Sequence, residues 1–293
     1  MSISVVMLGT GSPRPDLDRS GPSQVLMIDG TPILIDCGDG VVNQLMKAKI
    51  SLSEINYLFL THLHADHVYG YGHFLVAGWG SGRKKLTVVG PPGTKELHNL
   101  VLEMFKNDIK YRTSLGFPPE GILDVTIVEV DPSQAIPCEL PAEVTAASMI
   151  HNVPTFAYRF QMGDKAVVIS GDTAPSQRLV ELSQGADILV HDSCLTTTSM
   201  YNHSPRPELK KVWENLQKEH CTPEQAADTA REANVKKLVL THFLPGIDVN
   251  EIYQESKKVY DGIVIVPEDL QVIDVDDVEI ADIRKELAIQ TAN

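Results

Sequence analysis

Within the segment Asn56-Tyr57-Leu58-Phe59-Leu60-Thr61-His62-Leu63-His64-Ala65-Asp66-His67, an apolar run ends and three imidazoles and a carboxylate follow within six residues. In extended backbone, residues two apart project the same way, so His62 and His64 can converge on one ion. If the chain turns helical after Ala65, Asp66 and His67 swing towards a second ion nearby. Imidazole with carboxylate suits Zn²⁺, and Mn or Fe are tolerated by the same donors. Histidines can also gather on a surface loop by chance, but this spacing, directly after a buried strand, points to metal.

The elements that must hold these residues are short. Strands are expected at Val5–Leu8, Val25–Ile28, Ile33–Asp36, Tyr57–Leu60 and Leu86–Val89, each a β-branched or aliphatic run bounded by Gly, Pro or Asp. Helices are expected over Asp39–Lys49 and Thr94–Lys106, with a surface loop at residues 112–121. The grammar then repeats. Strands are expected at Val144–Met149, Phe156–Phe160, Ala166–Ser170, Ile188–His191 and Lys237–Leu240, with closing strands at Ile263–Val266 and Leu270–Ile273. Helices are expected near Pro207, after Thr222 and near Val249–Val259. Thr222-Pro223-Glu224-Gln225 is a capping-box pattern with Pro at the first helical position.

HxHxDH after an apolar strand resembles the signature of the metallo-β-lactamase superfamily, and the resemblance runs from GTGSP at the N-terminus to LTHF. It implies an α+β fold, the metallo-β-lactamase αββα four-layer sandwich, as a single hydrolase domain over residues 1–293. By the same resemblance, Asp36 in LIDCGDG supports the metal loop through hydrogen bonds. His151 is the third histidine of the first metal, Asp172 in SGDT bridges both metals, and His242 completes the second. The implied ligand set is therefore His62, His64, Asp66, His67, His151, Asp172 and His242 around two divalent ions, Zn²⁺ first with Mn or Fe as alternatives. Such a pair sharpens a water molecule into a nucleophile. Asp66 is also expected to orient that nucleophile.

GTGSP, THLHADH, SGDT, ADILVHDS and His220-Cys221-Thr222 are similar to the ribonuclease Z and arylsulfatase-like branch. That branch implies a leaving-group histidine at His220, steered by Asp192, and a homodimer. One hairpin, with no room for the long arm of tRNA-processing relatives, separates His151 from Asp172. Together with the stretch GYGHFLVAGWGSGRKKLTVVGPPGT, this leads us to expect a small-molecule ester as substrate, an aryl sulfate ester first. Phosphodiester hydrolysis of the ribonuclease Z kind (RNA 3′-end processing) is the alternative, then a lactone. A metal-binding scaffold without turnover is a different class, disfavoured by the intact ligand set.

The bulk numbers bound these readings. Of 293 residues, 39 are acidic and 25 basic, a net charge of −14, whereas nucleic-acid binding usually shows a basic footprint. Long nucleic acid is therefore not expected as a partner. Cys37, Cys138, Cys194 and Cys221 form no CxxC pair and read as incidental thiols rather than a disulfide framework or thiolate site. No run approaches the roughly 18 to 20 apolar residues of a membrane span, and MSISVVMLGTGSPRP does not read as a signal peptide. A cytoplasmic location, with no membrane partner, is expected. Gly9-Thr10-Gly11 lacks the third glycine and the helix of a dinucleotide loop. His73 and His98 read as structural or surface residues, and Tyr201 and His203 as ordinary loop residues or pocket lining.

Overall fold

The computed structural model describes residues 2–284 except 200, 203, 278 and 279; His203 lies outside the described residues. In chain order the elements are β1 Ile3–Gly9, β2 Ser23–Ile28, β3 Thr31–Ile35, α1 Val41–Lys47, β4 Tyr57–Phe59, α2 Ala65–Val68, α3 Tyr71–Gly80, β5 Thr87–Gly90, α4 Thr94–Ser114 and β6 Thr126–Glu129. There follow β7 Glu143–Ser148, β8 Phe156–Met162, β9 Lys165–Ile169, α5 Gln177–Leu182, β10 Ile188–Asp192, α6 Pro207–Leu216, α7 Pro223–Glu232, β11 Lys237–Thr241, α8 Val249–Lys257, β12 Ile263–Ile265, β13 Gln271–Asp274 and β14 Ala281–Asp282.

The strands make two sheets, ordered β14-β13-β1-β2-β3-β4-β5-β6 and β12-β11-β10-β9-β8-β7. β3 to β6 run parallel in the first, and β9 to β12 run parallel in the second. Period-two patterning decides the layering, because alternate residues of a strand face opposite ways. Val5, Met7, Ile33, Ile35 and Phe59 face inward and meet Tyr158, Phe160, Val167, Ile169 and Val190 of the second sheet. The ring of Phe59 stands edge-on to Tyr158 and Phe160, at 5.3 and 5.1 Å between centroids. Such pairs add roughly 0.5–1.5 kcal/mol beyond area burial.

The outward alternates Val6, Leu8, Leu34, Leu58 and Val88 pack under α1, α3 and α4 through Leu45, Phe74, Trp79 and Val101. On the other side Val168, Leu189, Leu238 and Leu240 pack under α5, α7 and α8 through Leu179, Ala226, Ala230 and Ile252. Helices, sheet, sheet, helices: the αββα sandwich is present. No helix of the described residues is long and apolar enough to cross a membrane.

Three differences from the sequence expectation have physical causes. α4 continues to Ser114, because Ile109 is buried and Arg112 pairs with Asp108 one turn back at 2.7 Å, so the loop starts later than residue 112. α3 has no counterpart among the expected helices, and Tyr71, Phe74, Leu75 and Trp79 bury one face of it. The short strand β6, mostly half-exposed at the sheet edge, carries little hydrophobic signal.

Candidate metal centre

Parallel pairing aims the C-terminal ends of β3 and β4 one way, and those of β9, β10 and β11 likewise. The loops beyond them meet at one edge of the sandwich, and each expected side chain arrives there. His62 and His64 follow β4, and Asp66 and His67 sit on the single turn α2. His151 follows β7, Asp172 follows β9, Asp192 ends β10 and His242 follows β11. Asp36 and His242 adopt left-handed backbone (φ 55° and 67°), which is uncommon for residues other than glycine and clusters at functional sites. Gly171, at φ +61°, lets the turn before Asp172 approach Thr61, whose Cβ lies 2.8 Å from where a side chain at 171 would begin.

Two groups form. His62 Nε2 and His151 Nε2 each lie 3.1 Å from His64 Nδ1, and Asp172 Oδ2 is 3.6 Å from His62 Nε2. In the second group His242 Nε2 is 3.2 Å from Asp66 Oδ2 and from Asp172 Oδ2, and His67 Nε2 is 3.5 Å from Asp66 Oδ2 and 3.4 Å from Asp172 Oδ1. Bonds of roughly 2.05 Å to one tetrahedral ion place ligand atoms about 3.3 Å apart. The observed separations are edges of such polyhedra, and Asp172 touches both.

Proton accounting tests the fit. Thr61 donates its Oγ1 hydrogen and its N–H to Asp36 at 2.8 Å each, so His62 Nδ1 at 3.0 Å must donate to Thr61. His151 Nδ1 donates to the Glu219 carbonyl at 3.1 Å. Neutral His62 and His151 therefore turn bare lone pairs towards His64 Nδ1, which carries at most one hydrogen; a cation resolves the conflict. His67 Nδ1 donates to Asp36 at 2.8 Å, leaving buried Nε2 without a partner. Fixing the outer ring nitrogen in this way is how ligating histidines are oriented.

The electrostatics agree. Asp36, Asp66, Asp172 and Asp192 are all buried, and among the described residues only histidines form ion pairs with them. Burial discourages a charge on His67, but Asp172 and Asp36 outweigh it and raise its pKa to about 10. Burial likewise opposes charge on His242, and Asp172 and Asp66 carry it well above the ordinary imidazole range. Asp172 is held well below the carboxylate range despite its burial, by His242, His67 and His62. His62 falls well below its ordinary value through burial and its histidine neighbours. The second group thus concentrates negative field and the first presents neutral nitrogen, a donor set for a pair of divalent ions.

His220 stands beside both groups. Its Nδ1 bonds Asp192 Oδ2 at 2.8 Å, its ring stacks on His242 at 5.3 Å, and it meets His151 edge-on at 5.2 Å. Burial disfavours its charge, yet Asp192 raises its pKa overall. The expected capping box at Thr222 and Gln225 is present and starts α7 just after it. Asp192 also accepts from the backbone of Cys194 at 2.9 Å and of Thr173 at 3.3 Å, which fixes the carboxylate.

Other expected residues fall elsewhere. His73 is exposed on α3, and His98 bonds Tyr71 at 2.7 Å. All four cysteines are free thiols, and burial pushes Cys194, beside His242, up to about 11. Residues 9–11 lead into a strap rather than a helix. Sequence reasoning missed Thr61, whose hydroxyl completes the Asp36 network; its place next to the first histidine was the available signal.

The Beta-lactamase superfamily domain matches residues 31–243. A Ribonuclease Z from Mycobacterium sp. (strain KMS) is 37% identical over 263 residues, covering 84% of this chain and 85% of that protein. A Ribonuclease Z from Mycobacterium avium (strain 104) is 33% identical over 288 residues, covering 94% of this chain and 99% of its own. The crystal structure of human tRNase Z, short form, superposes with a TM-score of 0.69 at 26% identity, covering 94% of this chain and 100% of that one.

These likenesses correct the expected substrate and partner. An aryl sulfate or other small-molecule ester, with long nucleic acid not expected, is overturned by relatives named Ribonuclease Z that this chain matches over 85% and 99% of their length. β8 and β9 do form a tight hairpin with no arm, but a chain matched over 99% of its length carries that name too, so the hairpin is no argument against it. The net charge of −14 misled because it sums the whole surface, while cations held at the site would set the local field there. The chain belongs to the metallo-β-lactamase superfamily, in its ribonuclease Z branch, and is a metal-dependent hydrolase.

Proposed function

We propose that the protein is a ribonuclease Z-type phosphodiesterase that removes 3′ extensions from RNA. The reading assigns one ion to His62, His64, His151 and Asp172 and a second to Asp66, His67, His242 and Asp172, with Zn²⁺ the metal the donors suit best. Such a pair, when bound, lowers the pKa of water towards neutrality and polarises a phosphoryl oxygen.

The chain's own residues supply the rest. Asp66, buried and tied to His242, orients the attacking water, which gives up one proton to solvent as its oxygen forms a new bond to phosphorus. As the phosphorus–ribose oxygen bond breaks, the departing oxygen needs a proton. His220 gives it from Nε2, because Nδ1 is held by Asp192. Asp192 orients the ring and stabilises its charged form, while water outside the site restores the proton between turnovers.

The observation that most supports this reading is the His220–Asp192 pair, set against the histidine-aspartate cluster in a chain whose relatives are named Ribonuclease Z. The test incubates purified protein and Zn²⁺ with an RNA hairpin carrying a 3′ extension, and separately with bis-4-nitrophenyl phosphate. We expect a single cut that frees the extension, and turnover of the small diester. Intact RNA beside rapid diester turnover overturns the assignment.

A further inference from the structure

A cleft of about 190 Å³ opens beside Asp66, and its walls include Ser12, Arg14, Arg19, Asp66 and Tyr69. Tyr69 is three residues beyond Asp66, so both lie on one helical face. Tyr69 is 66% exposed. Arg14 comes from the strap at residues 10–21, and its Nε donates to the Tyr201 hydroxyl at 2.7 Å. The guanidinium lies 5.4 Å from the Tyr201 ring centroid, and Tyr201 is itself buried with Cys194 and Leu244. Among the described residues neither Nη group of Arg14 donates a hydrogen bond. Arg14 lines the cleft, and a guanidinium fork matches phosphate oxygens.

The neighbouring cation is committed. Arg19 donates to the Thr10 hydroxyl and the Pro267 carbonyl, and it lies 4.9 Å from the Phe243 centroid. The strap is rigidly anchored as well. The buried Asp269 carboxylate accepts from Thr10 N at 3.0 Å, Thr10 Oγ1 at 2.8 Å, Ser20 N at 2.7 Å and Gln44 Nε2 at 2.9 Å. Phe243 N, next to His242, donates to the Thr10 carbonyl at 2.9 Å. Both ends of the strap that carries Arg14 are thereby tied to the chain beside His242.

We infer that Arg14 and Tyr69 form a nucleotide subsite for RNA next to the scissile bond, Arg14 holding a flanking phosphate and Tyr69 stacking a base. The inference rests on the RNA reading above and adds the residues that grip the strand. Stacking of one base on an exposed aromatic and one charge-assisted phosphate contact are each worth about tenfold in affinity.

The test uses the metal-loaded protein and its Arg14→Ala, Tyr69→Ala and Tyr69→Phe variants. Both side chains are exposed, and truncation disturbs no described core residue beyond the contact of Arg14 with Tyr201. Binding of a fluorescent 3′-extended RNA hairpin is followed across salt concentrations, and kcat/KM is measured on that RNA and on bis-4-nitrophenyl phosphate. For Arg14→Ala we expect the RNA-to-diester ratio of kcat/KM to fall about tenfold, through KM, and the salt slope of binding to drop by about one. Tyr69→Ala should lower the same ratio about tenfold, and Tyr69→Phe should restore it. Unchanged RNA affinity and salt slope in both alanine variants, with the parent protein cutting RNA, overturns the subsite alone. A parent protein that turns over the diester and neither binds nor cuts RNA overturns the RNA reading and the subsite with it.

Discussion

Replacing Asp172 with alanine is expected to lower kcat by at least about a thousandfold, the loss that follows when several kcal/mol of charge stabilisation are removed. No other carboxylate described here reaches both histidine groups. Oδ2 lies 3.6 Å from His62 Nε2 and 3.2 Å from His242 Nε2, and Oδ1 lies 3.4 Å from His67 Nε2. Without it, histidines on both sides lose the charge they share. Steady-state kinetics beside metal analysis of the same sample checks the prediction. Full turnover with both ions retained would remove Asp172 from the bridging position.

The second large effect belongs to His220. His220→Ala should cost about 10²- to 10⁴-fold in kcat on RNA, the usual contribution of a placed general acid. It should cost far less on bis-4-nitrophenyl phosphate, whose phenolate leaves without a proton. Equal losses on the two substrates would make His220 structural rather than a proton donor. The pH profile gives an independent reading. The proton-carrying form is required, and Asp192 overcomes burial to raise the His220 pKa, so activity persists above the ordinary imidazole range and falls as pH rises through the raised value. Asp192→Asn removes the raising charge, and its alkaline limb should move to lower pH. An unmoved limb contradicts the pair.

How much of this was legible beforehand follows from what local sequence encodes. The strands flanking the site read clearly because Val5, Met7, Ile33 and Ile35 alternate with Val6, Leu8 and Leu34 under strong burial on both faces. The histidine-aspartate cluster read clearly because metal chemistry demands fixed residue types at fixed spacing. His151, Asp172 and His242 were legible only through order and resemblance, since nothing local in SGDT or LTHF says that two sheets bring them together. α3 and the last two turns of α4 were hidden because burial of Trp79 and Ile109 is a tertiary fact. The substrate was misread for a similar reason. Net charge is a global sum and a missing arm is an absence, and neither locates the few side chains that set the field at one edge of the sandwich.

The account stands on two cations gathered by one edge of the sandwich, and the most direct measurement counts them. Protein purified in metal-free buffers, reconstituted with Zn²⁺ and desalted, is analysed by inductively coupled plasma mass spectrometry alongside its turnover. Two ions per chain are expected, with activity lost as a chelator strips them and regained on their return. A fully active preparation holding fewer than one ion per chain contradicts the account.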